Sequence, residues 1–157
     1  MRKFGLPLVA DTMTEILVMG TLPSDLSITK QEYYGNPAND FWRLISAALN
    51  RDVTAMPYGE RLAVLRSHHI GLWDAYHNCV RLGSLDTAIT DPELNDFSIL
   101  KTVAPKLRLV CFNGKEAARS DEKIRGLGYE TCVLPSSSSA NRKNRAERLR
   151  LWRSMLT

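Results

Sequence analysis

Ten residues, Tyr33-Tyr34-Gly35-Asn36-Pro37-Ala38-Asn39-Asp40-Phe41-Trp42, bring two tyrosines and two amides to one turn. A tyrosine ring can stack on a nucleobase, which contributes roughly 1–3 kcal/mol per base. An amide can orient a water or a carbonyl, because it carries both donors and an acceptor. Adjacent side chains on an extended segment point opposite ways, so one tyrosine can stack while the other packs inward. Asn39 also precedes an amphipathic pattern, and Asn is a strong helix N-cap, contributing roughly 1 kcal/mol. Two roles stay open for it: cap, or functional amide.

Three further polar segments could serve the same chemistry. Gly20-Thr21-Leu22-Pro23-Ser24 closes an apolar run. Asn113-Gly114 is most simply a turn, but its amide could also meet a base edge. Pro135-Ser136-Ser137-Ser138-Ser139-Ala140-Asn141-Arg142 is either a flexible serine linker or a phosphate site. Hydroxyls and backbone N–H groups ahead of a helix suit phosphate, and Arg142, Lys143 and Arg145 would extend the attraction. The chain has no P-loop, no GxGxxG, no nucleophile elbow and no zinc-deaminase signature. Neither a nucleophile-and-base pair nor a pair of carboxylates is apparent. The odd cysteine count (Cys79, Cys111, Cys132) argues against a disulfide framework and a structural zinc site. No metal or other cofactor is expected.

Apolar runs at 15–20, 108–113 and 130–135 read as buried parallel strands, with a weaker candidate at 70–74. Helical patterns lie between them. They are carried by Phe41, Leu44, Ile45, Ala48 and Leu49; by Leu62 and Leu65; by Phe97, Leu100 and Val103 up to Pro105; by 115–125; and by about 142–156, with Leu149, Trp152 and Leu156 inward. Strands alternating with helices predict an α/β chain with helices on both faces of a mostly parallel sheet. Ligands bind at the carboxyl ends of such strands. The polar segments converge there.

A length of 157 residues suits a single domain, 1–157, and 44% hydrophobic with 24% charged residues is ordinary for a globular protein. No apolar run is long enough for a bilayer, and no signal peptide is read, so a cytoplasmic setting without membrane contact is expected. The net charge is +4, and six basic residues face one acidic residue between Ser139 and Arg153. That bias suits a polyanion, or simply a solvated helix face.

Taken in order, these segments resemble the uracil-DNA glycosylase superfamily, and within it the DNA-deoxyinosine (hypoxanthine-DNA) glycosylase branch. Gly20-Thr21-Leu22-Pro23-Ser24 is similar to the first motif, a Gly-Ser-x-Pro-Gly type turn. Tyr33, Tyr34, Pro37, Asn39, Phe41 and Trp42 match a Tyr-Tyr-x-x-Pro-x-Asn-x-Phe-Trp segment. Leu72-Trp73-Asp74, Phe112-Asn113-Gly114 and Leu134-Pro135-Ser136-Ser137-Ser138-Ser139-Ala140 follow at compatible spacing. Ser24 stands where relatives usually have Gly, and Asn36 where His or another residue is common.

The resemblance implies a three-layer α/β/α sandwich around a short, mostly parallel four-stranded sheet. It implies a monofunctional glycosylase of base excision repair, which hydrolyses the N-glycosidic bond of a deaminated base, deoxyinosine first, flipped out of DNA. A uracil or mismatch-specific glycosylase and a non-catalytic DNA-damage binder are the alternatives. Asn39 would be the catalytic residue. Thr21, Leu22, Tyr34, Asn36 and Asn113 would hold the base. Pro23, Ser24, Ser136, Ser137, Ser138, Ser139, Ala140, Asn141, Arg142 and Lys143 would hold the DNA. The partner would be double- or single-stranded DNA with damaged bases, bound by a monomer.

Overall fold

Four short apolar runs pair side by side and set the whole arrangement. The computed structural model describes residues 2–157. Its strands are β1 (Arg2–Phe4), β2 (Ile16–Gly20), β3 (Ile70–Asp74), β4 (Tyr76–Val80), β5 (Thr90–Leu94), β6 (Leu109–Asn113) and β7 (Glu130–Leu134). Its α-helices are α1 (Asp25–Lys30), α2 (Phe41–Ala48), α3 (Tyr58–Ser67), α4 (Leu100–Val103), α5 (Asp121–Gly126) and α6 (Arg145–Leu156).

The main sheet runs β3-β2-β6-β7, and every pairing is parallel. β2 is buried along its whole length, as a parallel strand covered on both faces should be. Alternation divides its side chains between two cores. Ile16 and Val18 join Ile70, Leu72, Leu109 and Cys111 beneath α2, α3 and α6. Leu17 and Met19 join Trp73, Val110 and Phe112 on the other face with Leu100 and Ile124. The two cores make the expected three-layer α/β/α sandwich.

Several boundaries differ from the sequence reading. The final helix begins at Arg145 rather than near Arg142, because a turn from Ser138 to Asn141 comes first. Trp152 and Leu156 are buried as expected, and Trp152 Nε1 donates to the Pro135 carbonyl at 2.8 Å. The helix expected over 115–125 is a 3-10 turn, Ala117–Ser120, followed by α5. α4 stops ahead of Pro105, whose ring disfavours helical backbone at Ala104.

No pattern in the sequence marks the second, antiparallel sheet, β1-β4-β5. β5 is exposed throughout and contains Pro92, and its register with β4 is irregular. A polar edge strand of that kind lacks the alternation that marks a strand. α1 was also unmarked. Its cap is Ser24, whose Oγ accepts from the Ser27 N–H at 3.2 Å.

Val9 closes the free edge of β3, exchanging two 2.9 Å backbone bonds with Leu72. That approach needs a glycine beside it: a Cβ on Gly71 would sit 2.6 Å from the Val9 carbonyl oxygen. Gly71→Ala is therefore expected to destabilise the fold by about 2 kcal/mol. Urea unfolding of the variant and the parent, with unchanged slope, checks it.

Candidate active site

The two tyrosines do point apart. Tyr33 is buried, and its hydroxyl donates between the carbonyls of Leu6 and Pro7, at 3.1 and 2.9 Å. Tyr34 has φ 54°, a left-handed conformation uncommon outside glycine and the asparagine-like residues. That turn brings its ring to a cavity, where it stacks on Phe41 with centroids 3.8 Å apart and planes 14° from parallel. Phe41 is fixed in turn by the edges of Trp42 and Trp152. The Tyr34 hydroxyl accepts from Asn113 Nδ2 at 3.1 Å. Burial, with the Asp74 carboxylate nearby, pushes its ionisation well above the ordinary tyrosine range.

Asn39 lies one residue ahead of the N-cap position of α2, which is Asp40, so the expected capping role is displaced and its amide braces the turn instead. Oδ1 accepts from the N–H of Phe41, the first residue of α2, at 2.9 Å, and from Ser137 Oγ at 2.8 Å. The backbone donor settles which end is oxygen. Nδ2 is thereby turned away from the helix, and it takes no partner among the described residues. Asn36 repeats the device more weakly: its Oδ1 accepts from the Ala38 N–H at 3.0 Å. Asn113 is the most committed amide. It receives the Ser137 N–H at 2.9 Å and donates to Tyr34 and to Ser137 Oγ (2.9 Å).

Beneath this turn lies a group the sequence reading passed over. Asp40 is buried and accepts from three arginines. Arg142 Nε lies 2.9 Å and Arg148 Nη2 2.6 Å from Oδ2, with Arg43 Nε 2.9 Å from Oδ1. The Arg142 hydrogen bond, with those of Arg148 and Arg43, holds the carboxyl far below its ordinary range despite burial. Arg142, expected to hold DNA, also donates to the Ala38 carbonyl at 2.9 Å, so it joins the serine segment to the Asn39 turn. Arg148 clamps the same segment, donating to the carbonyls of Ser136 (3.2 Å) and Asn141 (2.8 Å). The serine segment is therefore a braced loop, not a flexible linker. Ser137 is buried in it, while Ser139, Ala140, Asn141 and Lys143 are exposed.

These parts enclose a cavity of about 500 Å³ at the carboxyl ends of β2, β3 and β6. Its lining unites Thr21, Leu22, Pro23, Ser24, Tyr34, Asn36, Asn39, Asn113 and the stretch from Ser136 to Asn141. Only Arg142 and Lys143, of the expected site residues, lie outside it.

The expectation that no carboxylates pair here is overturned. Asp74, at the end of β3, and Asp86 both line the cavity. Asp86 accepts from Thr21 Oγ1 at 2.7 Å. Burial, then the Asp86 carboxylate, push Asp74 up to about 7, against the opposing pull of Arg81. Asp86 is raised as well, chiefly by burial. The two carboxylates lie twelve residues apart on different elements, and only the fold brings them together. Leu72-Trp73-Asp74 was legible as a strand end, but not Asp74 as a cavity residue.

No family model matches the chain. It is 53% identical over 152 residues to a hypoxanthine DNA glycosylase of Methanosarcina acetivorans, covering 97% of this chain and 96% of that protein. The chain belongs to the hypoxanthine DNA glycosylase family. A second member, from Methanosarcina barkeri, is 48% identical over the same shares. A solution NMR structure from Methanosarcina acetivorans, provisionally assigned as a uracil DNA glycosylase, superposes with a TM-score of 0.91 at 51% identity. It covers 99% of this chain, which matches 97% of it. The fold and order of motifs in this glycosylase family member are thus those the sequence suggested.

Two outcomes check the electrostatics. Asp40→Asn leaves buried Arg148 without its countercharge and should cost about 3 kcal/mol, read by chemical denaturation. Asp74 acts in the opposite sense. Between an ordinary 3.8 and about 7 the native carboxyl holds a proton that the unfolded chain releases, so stability falls as pH rises across that window. Asp74→Asn should therefore melt several degrees above the parent at pH 8, with the gap closing near pH 4.

Proposed function

We propose that this chain removes hypoxanthine from DNA. It hydrolyses the N-glycosidic bond of a deoxyinosine turned out of the helix into the Asn39 cavity. The chain is a DNA glycosylase acting on deaminated bases, as its family membership entails. The observation that carries the finer reading is the fixed amide of Asn39. Its oxygen is held by Phe41 and Ser137, so the free Nδ2 stands beside Tyr34 in a cavity large enough for a purine.

Extruding a nucleotide costs a few kcal/mol, and less when it is poorly paired, which favours deaminated bases over normal ones. Tyr34, backed by Phe41, gives the base a rigid stacking surface. Thr21 and Leu22 close over it at the first strand's turn, with Pro23 and Ser24 toward the DNA. Ser136, Ser138, Ser139, Ala140 and Asn141, with Lys143 outside, take the phosphates. Asn39 Nδ2 is a donor and cannot remove a proton from water. It can hold the oxygen of a water beside C1′. The chemistry that follows is dissociative: the sugar gains oxocarbenium character, and the positioned water captures it. DNA, double- or single-stranded, is bound by one copy of the chain. The likeness to a structure provisionally assigned as a uracil DNA glycosylase makes uracil the second base to test.

Mass spectrometry of the base released from duplexes with deoxyinosine, deoxyuridine, deoxyxanthosine or ethenocytosine decides the substrate. Free hypoxanthine is expected as the main product, and binding without release would leave a damage-binding protein. Asn39→Ala should lose excision almost completely while costing roughly 1 kcal/mol of stability through the lost hydrogen bonds to Phe41 and Ser137. Asn39→Asp keeps the oxygen for Phe41 and Ser137 but loses the donor. It should be as well folded as the parent and still inactive. Restored turnover in Asn39→Asp would assign this residue to bracing the turn alone.

A further inference from the structure

The steps above leave the two carboxyl groups of the cavity without work. Asp74 is 4% exposed, yet it lines the cavity. Neither of its oxygens receives a hydrogen bond among the described residues, and Oδ2 is fully buried without a partner. Space for Oδ1 is provided by a glycine, since a Cβ on Gly20 would lie 2.6 Å from it and 3.2 Å from the Tyr34 hydroxyl. A buried carboxyl without partners is costly, and such groups are kept where they act. Structural carboxylates in this chain look different: Asp40 takes three guanidinium groups.

We propose that Asp74 is a catalytic acid that gives its proton to the departing base. The inference rests on the glycosylase reading and adds a group to it. The C1′–N9 bond breaks, and its electron pair goes to the purine. The Asp74 carboxyl proton passes to a ring nitrogen, so the base leaves neutral. The water held by Asn39 bonds to C1′ and sheds its extra proton to solvent, from which Asp74 is reprotonated. No other reactant is needed.

The surroundings favour the protonated acid at the moment of cleavage. Asp86, from the 3-10 turn Asp86–Ala88, adds a like charge, while Tyr33 and Tyr34 are neutral neighbours. Arg81 at the end of β4 is the opposing cation, but its guanidinium donates to the carbonyls of Pro23 (2.7 Å) and Gly83 (2.8 Å). No histidine lines the cavity. A bound base displaces water from the carboxyl, and DNA phosphates add negative charge, so both strengthen its hold on the proton. An ionised Asp74 would instead repel the charge developing on the purine. A side chain poised between its two protonation states near neutrality is best suited to proton transfer.

The test is the pH dependence of single-turnover excision from a deoxyinosine duplex, for the parent and Asp74→Asn. The parent should lose rate with rising pH, tenfold per unit above the ionisation. Asp74→Asn should be slower by about 10²-fold or more at pH 6 and lack that limb. Its duplex affinity, read by fluorescence anisotropy, should stay within a few fold of the parent, and its melting temperature should not fall. Two results overturn the proposal while leaving the glycosylase reading intact. One is a parent rate that rises with pH through neutrality, as a carboxylate accepting a base N–H would give. The other is an unchanged profile in Asp74→Asn. Absence of base release from the parent itself overturns both.

Discussion

The buried ion pair between Asp40 and Arg148 is the constraint on which the cavity depends. Asp40 begins α2, and Arg148 lies in the first turns of α6, more than a hundred residues later. Their 2.6 Å contact brings the two helices' N-terminal ends together over β6 and β7. Removing one partner of such a pair costs roughly 3–5 kcal/mol, because the other charge stays buried. Here the pair also sets geometry. Nη1 of Arg148 holds the serine loop by its carbonyls, and Asp40 N–H donates to the Ser137 carbonyl at 2.9 Å. Basic residues that suggested DNA contact in the sequence are thus partly spent on building the site.

That scaffold also fixes the amide of Asn39. The turn needs its side-chain oxygen, and the proposed contact with the substrate needs its nitrogen. Ser137, fixed by the Asp40 network and by Asn113, supplies the second bond that locks the oxygen in place. The nitrogen of this cavity-lining residue is left without a partner among the described residues. Strain is placed nearby, with Tyr34 in the left-handed region, where surrounding packing can hold it. Asp74, with neither oxygen paired among the described residues, is the matching electrostatic strain in the same cavity. Both are features that stability alone would remove.

Much of this was legible in the sequence, and the limits are physical. The parallel strands showed themselves because burial on both faces demands unbroken apolar runs, as in Ile16 to Met19. The Asn39 turn, the Asn113 strand end and the serine segment could be placed by chain order and by family resemblance. The β1-β4-β5 sheet was invisible, because exposed strands with a proline need no pattern. The roles of Asp40 and Asp74 were invisible for another reason, although both residues stand in segments the sequence singles out. A single carboxylate carries no periodicity, and its meaning comes from partners distant in sequence, Arg148 for one and Asp86 for the other. Arg142 was read as a DNA ligand from its neighbourhood in the chain, whereas its partner, Asp40, lies across the fold.

The central claim is that the fixed amide of Asn39 holds the attacking water. A crystal structure with a duplex bearing a non-cleavable, 2′-fluorinated deoxyinosine measures it directly. The purine is expected against Tyr34, with an ordered water within hydrogen-bonding distance of Asn39 Nδ2, on the face of C1′ opposite the base. A water held there by Asn36 or Asn113, with Asn39 Nδ2 turned away from the sugar, would contradict it.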